Sequence, residues 1–201
     1  MSKSQKKDLF DRIAWPYGLF FHKQVKMYKS ILQETQFKQR FLEVHSICDV
    51  GCGTGALAAV LHMNGYKVTA IDQSAAMLTI AKGKTDHLDI QYTQGSVLDL
   101  PYISDSFDIV IASYVAHGLK KTQRLVMMEQ MKSVAKKAVV LIDFNQTRRW
   151  HTDVIEWLEQ GDYFNFIYDI EDEMNAIFSS VEIIPAFKYG NIYIGYCETI
   201  K

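Results

Sequence analysis

Long apolar runs are missing from this chain. No stretch of its 201 residues approaches the ~20 consecutive apolar residues that a membrane-crossing helix needs, so no span is expected. Charge of one sign is missing too. Lys and Arg number 22 against 23 Asp and Glu, a formal net charge of −1, which gives no electrostatic footprint for DNA or RNA. Cysteine is scarce: Cys48, Cys52 and Cys197 are an odd set, with two inside one short stretch, which argues against a disulfide framework. Cys48-x-x-x-Cys52 lacks zinc-type spacing and the histidines do not complete a ligand set, so no metal is expected. There is no internal repeat, no low-complexity tract, no Walker motif and no Gly-x-Ser-x-Gly elbow. Met1 to Asp8 carries no apolar core of the secretory kind. The remainder is an ordinary composition, 48% hydrophobic and 22% charged, expected of one reduced, cytoplasmic domain spanning residues 1–201.

The chain is organised around Ser46-Ile47-Cys48-Asp49-Val50-Gly51-Cys52-Gly53-Thr54-Gly55-Ala56. A short apolar run enters, three glycines at alternate positions turn, and Ala56 to Leu61 leaves as a helix former. Glycines here allow φ > 0 and let a ligand lie directly on the backbone. The following helix offers free N–H groups and its positive dipole end. Gly51-x-Gly53-x-x-Ala56 fits the dinucleotide fingerprint. The acid at Asp49 and the third glycine at Gly55 point instead to another nucleotide-like ligand. Cys52 fills a small-residue slot in the turn.

Alternating elements follow. Tyr66 to Ile71 reads as a second strand closed by Asp72, and Ser74 as the N-cap of the next helix. Asp72 lies where an acid can accept hydrogen bonds from ribose hydroxyls. Gly83 to Asp89 reads as a polar connection, Ile90 to Thr93 as a third strand, and Phe107 to Ser113 as a buried central strand. Lys121 to Val134 reads as a helix burying Leu125, Met128 and Met131. Ala138 to Ile142 forms the fifth strand and ends at Asp143, on the ligand edge.

Asp49-x-Gly-x-Gly-x-Gly, Asp72-x-Ser-x-x-Met-Leu, Asp99-Leu-Pro-Tyr and Phe107-Asp108-x-Val, in this order, resemble the class I S-adenosylmethionine-dependent methyltransferases. The most similar branch includes the small-molecule enzymes of ubiquinone and menaquinone biosynthesis. The resemblance covers residues 46–144 and implies an α/β, Rossmann-like, doubly wound and mostly parallel seven-stranded sheet. N-terminal helices in residues 1–45 precede the core; substrate-side helices and a C-terminal antiparallel hairpin in residues 145–201 follow. It further implies S-adenosylmethionine as cofactor, S-adenosylhomocysteine as product and a small molecule as methyl acceptor; the aromatic content of the terminal regions makes a partly apolar acceptor the expectation. The glycine loop then holds the methionine end, Asp72 the ribose, and Ser96 and Val97 the adenine. The full cofactor-binding set is Asp49, Gly51, Cys52, Gly53, Gly55, Asp72, Gln73, Ser96, Val97 and Ser113. Two departures stand out. Ser96 replaces the acid many relatives place near the adenine amine, and Ala135-Lys136-Lys137-Ala138 replaces a Gly-Gly turn before strand five. Two other functions remain open: a fold that binds the cofactor without turnover, and an NAD(P)-dependent oxidoreductase.

Three residues are candidates for proton removal from the acceptor. Tyr114 and His117 follow the fourth strand, and Tyr17 belongs to the break Trp15-Pro16-Tyr17-Gly18 between two N-terminal helices. That break reads either as a lid or as packing. The second helix runs from Leu19 through Phe21, Val25, Tyr28, Ile31 and Leu32 towards Phe41, its other face carrying Lys23, Lys26 and Lys29. That face reads as solvated, with a membrane surface as the alternative. Arg148-Arg149-Trp150-His151 reads either as surface or as a partner for an anionic substrate group. Asp169 to Asp172 reads as the cap of a short helix. Val181 to Ile184 and Ile192 to Cys197 read as a hairpin whose loop holds Pro185, Gly190 and Asn191.

Overall fold

β-Branched and aliphatic runs set most of the strands, and seven strands form one sheet in the computed structural model. The structure describes residues 18–147 and 162–197. The strands are β1 (Ser46–Val50), β2 (Lys67–Asp72), β3 (Ile90–Gln94), β4 (Phe107–Ser113), β5 (Ala135–Phe144), β6 (Ser180–Phe187) and β7 (Gly190–Tyr196). Their order is β3-β2-β1-β4-β5-β7-β6. β1 to β2, β2 to β3 and β4 to β5 pair parallel, whereas β7 runs antiparallel to β5 and β6. This is the mixed, Rossmann-like sheet with a terminal antiparallel pair. The chain falls into two compact units that divide between Val97 and Leu98.

The first unit builds its core from β1, β2 and the helices α1 (Phe21–Glu34), α2 (Phe37–Arg40), α3 (Ala56–Met63) and α4 (Ala75–Lys84). α1 buries Phe21, Tyr28, Ile31 and Leu32 and leaves Lys23, Lys26 and Lys29 exposed, as the helical period requires. It stops sooner than expected. Gln36 takes φ 51°, so Phe37 to Arg40 turns separately, and Phe37 stacks 4.9 Å from Phe41. Ser74 caps α4 by accepting the Met77 N–H at 3.1 Å. The helix runs on through Gly83 to Lys84, shortening the polar connection. Gly65 adopts φ 95° after α3, the left-handed position expected of a helix end.

The second unit places α5 (Lys121–Val134) and α6 (Tyr163–Ile177) with β4 to β7. α5 buries Met127, Met128, Met131 and Val134; Leu125 is only half-buried, and Arg124 takes its place in the interior. No turn precedes β5. Ala135 already has φ −94° and ψ 134°, so the helix passes straight into a ten-residue strand containing Ala135 to Ala138. Asp169 to Asp172 does not cap a helix but lies inside α6, whose buried stripe is Tyr163, Phe166, Ile167, Ile170 and Met174. The aromatic run extends the helix upstream because its spacing is helical. The hairpin is tighter than expected. Phe187 pairs with Gly190, leaving two residues between the strands, and Pro185 belongs to β6 beside a bulge.

Arg124 binds this unit together. Its side chain is fully buried, its Nε and Nη2 donate to both carboxylate oxygens of Glu173 at 2.8 and 2.7 Å, and its Nη1 donates to Asp162 at 2.8 Å. Nη1 also donates to the Leu119 carbonyl at 2.7 Å. A planar fork satisfied on every side can remain buried, but one missing partner leaves an uncompensated charge. Glu173→Ala should lower unfolding free energy by about 3–5 kcal/mol, read by urea denaturation.

Candidate functional site

The turn after β1 is built from left-handed residues. Gly51, Gly53 and Gly55 have φ of 74°, 53° and 79°. Two of them have a further reason to be glycine. A Cβ on Gly55 would sit 2.6 Å from the Tyr92 hydroxyl, a collision, whereas a Cβ on Gly53 would point into open space. Gly53 therefore needs glycine for its backbone angle and leaves bare main chain on an open side, which is what a ligand lying on the loop requires. The Gly51 and Cys52 N–H groups donate to the Ile71 carbonyl at 2.8 and 3.1 Å.

Asp72 holds this turn from the end of β2. Its Oδ2 accepts the Gly53 N–H at 2.8 Å and its Oδ1 the Ser74 N–H at 2.9 Å. A carboxylate oxygen has further acceptor capacity. Beside it Asp49 is 1% exposed, and its Oδ2 has no hydrogen-bond partner among the described residues. Burial pushes the Asp49 carboxyl up to about 7, the neighbouring Asp72 adds to the rise, and the Ala58 N–H opposes it. Burial, with Asp49 and Asp72 nearby, also raises the Cys52 thiol well above its usual value. Cys52 is therefore a packed thiol, not a nucleophile. Ser96 and Val97 are half-buried in the segment after β3, and Gln73 is exposed, its carbonyl accepting from Gln94 Nε2 at 3.1 Å. α1 reaches the turn through Thr54, whose hydroxyl donates to Gln24 Oε1 at 3.3 Å.

In the second unit, Ser113 ends β4 half-buried and Tyr114 turns the chain at φ 55°. Such an angle is uncommon outside glycine. A short 3₁₀ turn, Ala116–Gly118, then carries His117. Its Nδ1 lies 2.7 Å from Asp143 Oδ1, with the two side chains 12% and 1% exposed. Asp143 Oδ2 accepts the Ala116 N–H at 3.1 Å and, less tightly, the His117 N–H at 3.4 Å; Oδ1 also accepts the Phe144 N–H at 2.9 Å. Rings surround the imidazole edge-on: Phe144 at 4.8 Å, Tyr114 at 6.3 Å and Phe166 at 6.4 Å. The acid at Asp143 thus engages His117. Tyr17 and Arg148 to His151 lie outside the described residues.

The sequence reading missed three of these features. Tyr92 supports Gly55 from below, its hydroxyl 3.0 Å from Thr85 Oγ1. The Thr85 hydroxyl hydrogen goes to the Ala81 carbonyl at 2.8 Å, so Tyr92 is the donor. Asp143 with His117, and Arg124 with Glu173, are the others. Only Glu173 left a trace, as a charge inside an otherwise apolar helical stripe. Among the described residues no group of three or more His, Cys, Asp or Glu side chains could hold a metal, and no helix is long and apolar enough to cross a membrane.

Residues 47–138 match the family model described as a methyltransferase domain. Similar proteins agree. An uncharacterized methyltransferase of Alkaliphilus oremlandii is 26% identical over 188 residues, 92% of this chain and 81% of that protein. A demethylmenaquinone methyltransferase of Porphyromonas gingivalis is 35% identical over 112 residues, 52% of this chain and 44% of its own length. Among solved structures, magnesium protoporphyrin IX methyltransferase from Synechocystis, with bound S-adenosylhomocysteine, superposes with a TM-score of 0.69 at 17% identity. That superposition covers 97% of this chain and 99% of the other. The chain thus shares the fold of that structure.

Asp72 has a structural duty besides any ligand contact. Asp72→Ala removes a charged acceptor from two main-chain donors and should lower ligand-free stability by about 1.5–3 kcal/mol, read by denaturant titration. Asp49 gives the opposite pH slope to a paired acid. Its folded value, about 7, exceeds the unfolded 3.8, so between them the folded state binds more protons. Stability should fall as pH rises from about 4 to 7, and Asp49→Asn should flatten that slope in urea titrations at stepped pH.

Proposed function

We propose that this chain transfers the methyl group of S-adenosylmethionine to a small, partly apolar molecule by in-line displacement, leaving S-adenosylhomocysteine. The observation that carries the reading is the buried, unpartnered Oδ2 of Asp49 beside Asp72 and the open side of Gly53. Two neighbouring carboxyl groups favour a ligand that brings positive charge, and S-adenosylmethionine has an ammonium and a sulfonium. A dinucleotide would bring a pyrophosphate, whose negative charge would add to theirs. When bound, the cofactor supplies an electrophilic methyl carbon whose bonding pair to sulfur stays with sulfur on transfer.

The residues divide the work of binding. Asp49, Gly51, Cys52, Gly53 and Gly55 hold the amino-acid end, with main-chain atoms doing most of it. Asp72 and Gln73 hold the ribose; Ser96 and Val97 flank the adenine. Ser96 bonds more weakly than an acid would, because a hydroxyl is a neutral acceptor. Ser113 completes the set. His117 stands on the acceptor side, with the rings of Tyr114, Phe144 and Phe166 set edge-on around it as an apolar wall. The protein's remaining task is to hold the accepting atom near ~3 Å from the methyl carbon and in line with the departing sulfur. A relative named as a demethylmenaquinone methyltransferase supports a small acceptor.

Incubation with methyl-labelled S-adenosylmethionine and a panel of small acceptors tests the reading. Label in a small molecule is expected; label only in protein or RNA would refute the acceptor class. Tight cofactor binding with no transfer across the panel would select a non-catalytic binding module. Protection from unfolding by NAD(P) alone would select an oxidoreductase. Cofactor affinity should rise with pH through about 7, as Asp49 ionises, and calorimetry of Asp49→Asn should show that dependence lost.

A further inference from the structure

The small net charge conceals an uneven distribution. Residues 1–42 hold nine Lys and Arg against three Asp and Glu, a balance of +6, which leaves −7 on residues 43–201. Asymmetry of this kind points to a charged partner for the basic part. Among the described residues three of those cations lie on α1. No Asp or Glu occurs from residue 18 to residue 33, and Lys23, Lys26 and Lys29 follow one another at three-residue spacing, all exposed. Glu34, at the far end of the helix, accepts a hydrogen bond from Ser30.

The stripe is held outward. α1 buries Phe21, Tyr28, Ile31 and Leu32, so the helix cannot turn its lysines elsewhere. Residues three apart on a helix are neighbours, and like charges there repel. In the second unit exposed lysines are paired, Lys121 with Asp169 at 3.4 Å and Lys136 with Asp108 at 3.9 Å. Among the described residues none of the three α1 lysines has an acidic partner. A face meant only for water interleaves acids with its lysines, and this one does not. Two apolar side chains stand beside the stripe. Leu19 and Phe20 are 66% and 55% exposed. Phe20 is the N-cap of α1, its carbonyl accepting the Gln24 N–H at 2.9 Å. It lies three residues before Lys23 and Leu19 lies four before it, spacings that make both its neighbours.

We propose that the exposed face of α1 docks on the surface of an anionic lipid bilayer. Lys23, Lys26 and Lys29 meet headgroup phosphates, and Leu19 and Phe20 enter the boundary between headgroups and acyl chains. Charge complementarity selects an anionic partner, and the exposed apolar pair selects lipid among anionic partners. A nucleic acid would neutralise the lysines but offers no apolar layer for Leu19. The contact is peripheral and reversible, because three lysines and two apolar side chains hold far more weakly than a spanning helix. It holds whatever reaction the chain performs.

Sedimentation of the full chain with lipid vesicles tests the proposal. Vesicles of phosphatidylcholine with about a third phosphatidylglycerol should carry the protein down, and vesicles of phosphatidylcholine alone should not. Salt at about 1 M, where the screening length is about 3 Å, should release it. The triple substitution Lys23→Gln, Lys26→Gln and Lys29→Gln should weaken vesicle binding by about 10²-fold, roughly fivefold for each lysine. A control that removes the same charge elsewhere, Lys67→Gln, Lys82→Gln and Lys84→Gln, should bind nearly as the wild type does. The pair Leu19→Ser and Phe20→Ser should bind about tenfold more weakly. No binding to anionic vesicles, equal binding to neutral ones, or an equal loss in the control overturns the proposal. Unchanged binding by the serine pair, or tighter retention by double-stranded RNA than by vesicles, overturns the choice of lipid. All the substituted side chains are exposed, and thermal melts check that each variant folds. The lipid and salt dependence of the wild type decides without them.

Discussion

A single carboxylate decides the shape of the turn that precedes α3. Three residues of left-handed backbone at alternate positions would not hold themselves, because each glycine brings conformational freedom that folding must remove. Asp72 removes it by accepting the Gly53 amide, while the Ile71 carbonyl takes the amides of Gly51 and Cys52. The turn is thus fastened to the end of β2 rather than to β1, which it follows in sequence. The same pinning gathers negative charge. Asp72 stands near the buried Asp49, whose carboxyl is raised first by its own burial and then by Asp72. Protonation of Asp49 relieves such a site, as a bound cation would.

The second unit repeats the logic with a different acid. Asp143 gathers main-chain donors and a side-chain ring, as Asp72 gathers main-chain donors alone. Both acids end parallel strands, where main-chain N–H groups of the following loops become available. Arg124 plays the complementary part, a buried cation satisfied by Glu173, Asp162 and a carbonyl. Each unit therefore has a polar anchor within an apolar interior, and each anchor borders the residues with proposed roles in binding or chemistry.

What could be read from the sequence follows how local each cause is. The glycine turn, Asp72 at the end of β2 and the Ser74 cap depend on residues within a few positions, and the structure has them where expected. Apolar runs located β1, β2, β4 and β7 for the same reason. The contacts that escaped join distant residues. Asp143 meets His117 across 26 positions and Arg124 meets Glu173 across 49. Neither residue type nor spacing encodes those meetings; they follow from strand order and helix packing. Boundaries failed where a polar residue sat inside a periodic element. Asp169 to Asp172 looked like a start and is the middle of α6; Pro185 looked like a loop and is in a strand. Arg124 was hidden because a charged residue on a buried helix face runs against composition.

Pro185 has a consequence for how molecules of this protein meet one another. β6 is the outermost strand on its side of the sheet, with one flank unpaired among the described residues. A regular edge of that kind can recruit a strand from a neighbouring chain and grow into an aggregate. The ring at Pro185 deletes one donor from the row, and the adjoining bulge breaks its rhythm before Phe187. Self-association through this border is thereby discouraged by covalent structure, independently of charge.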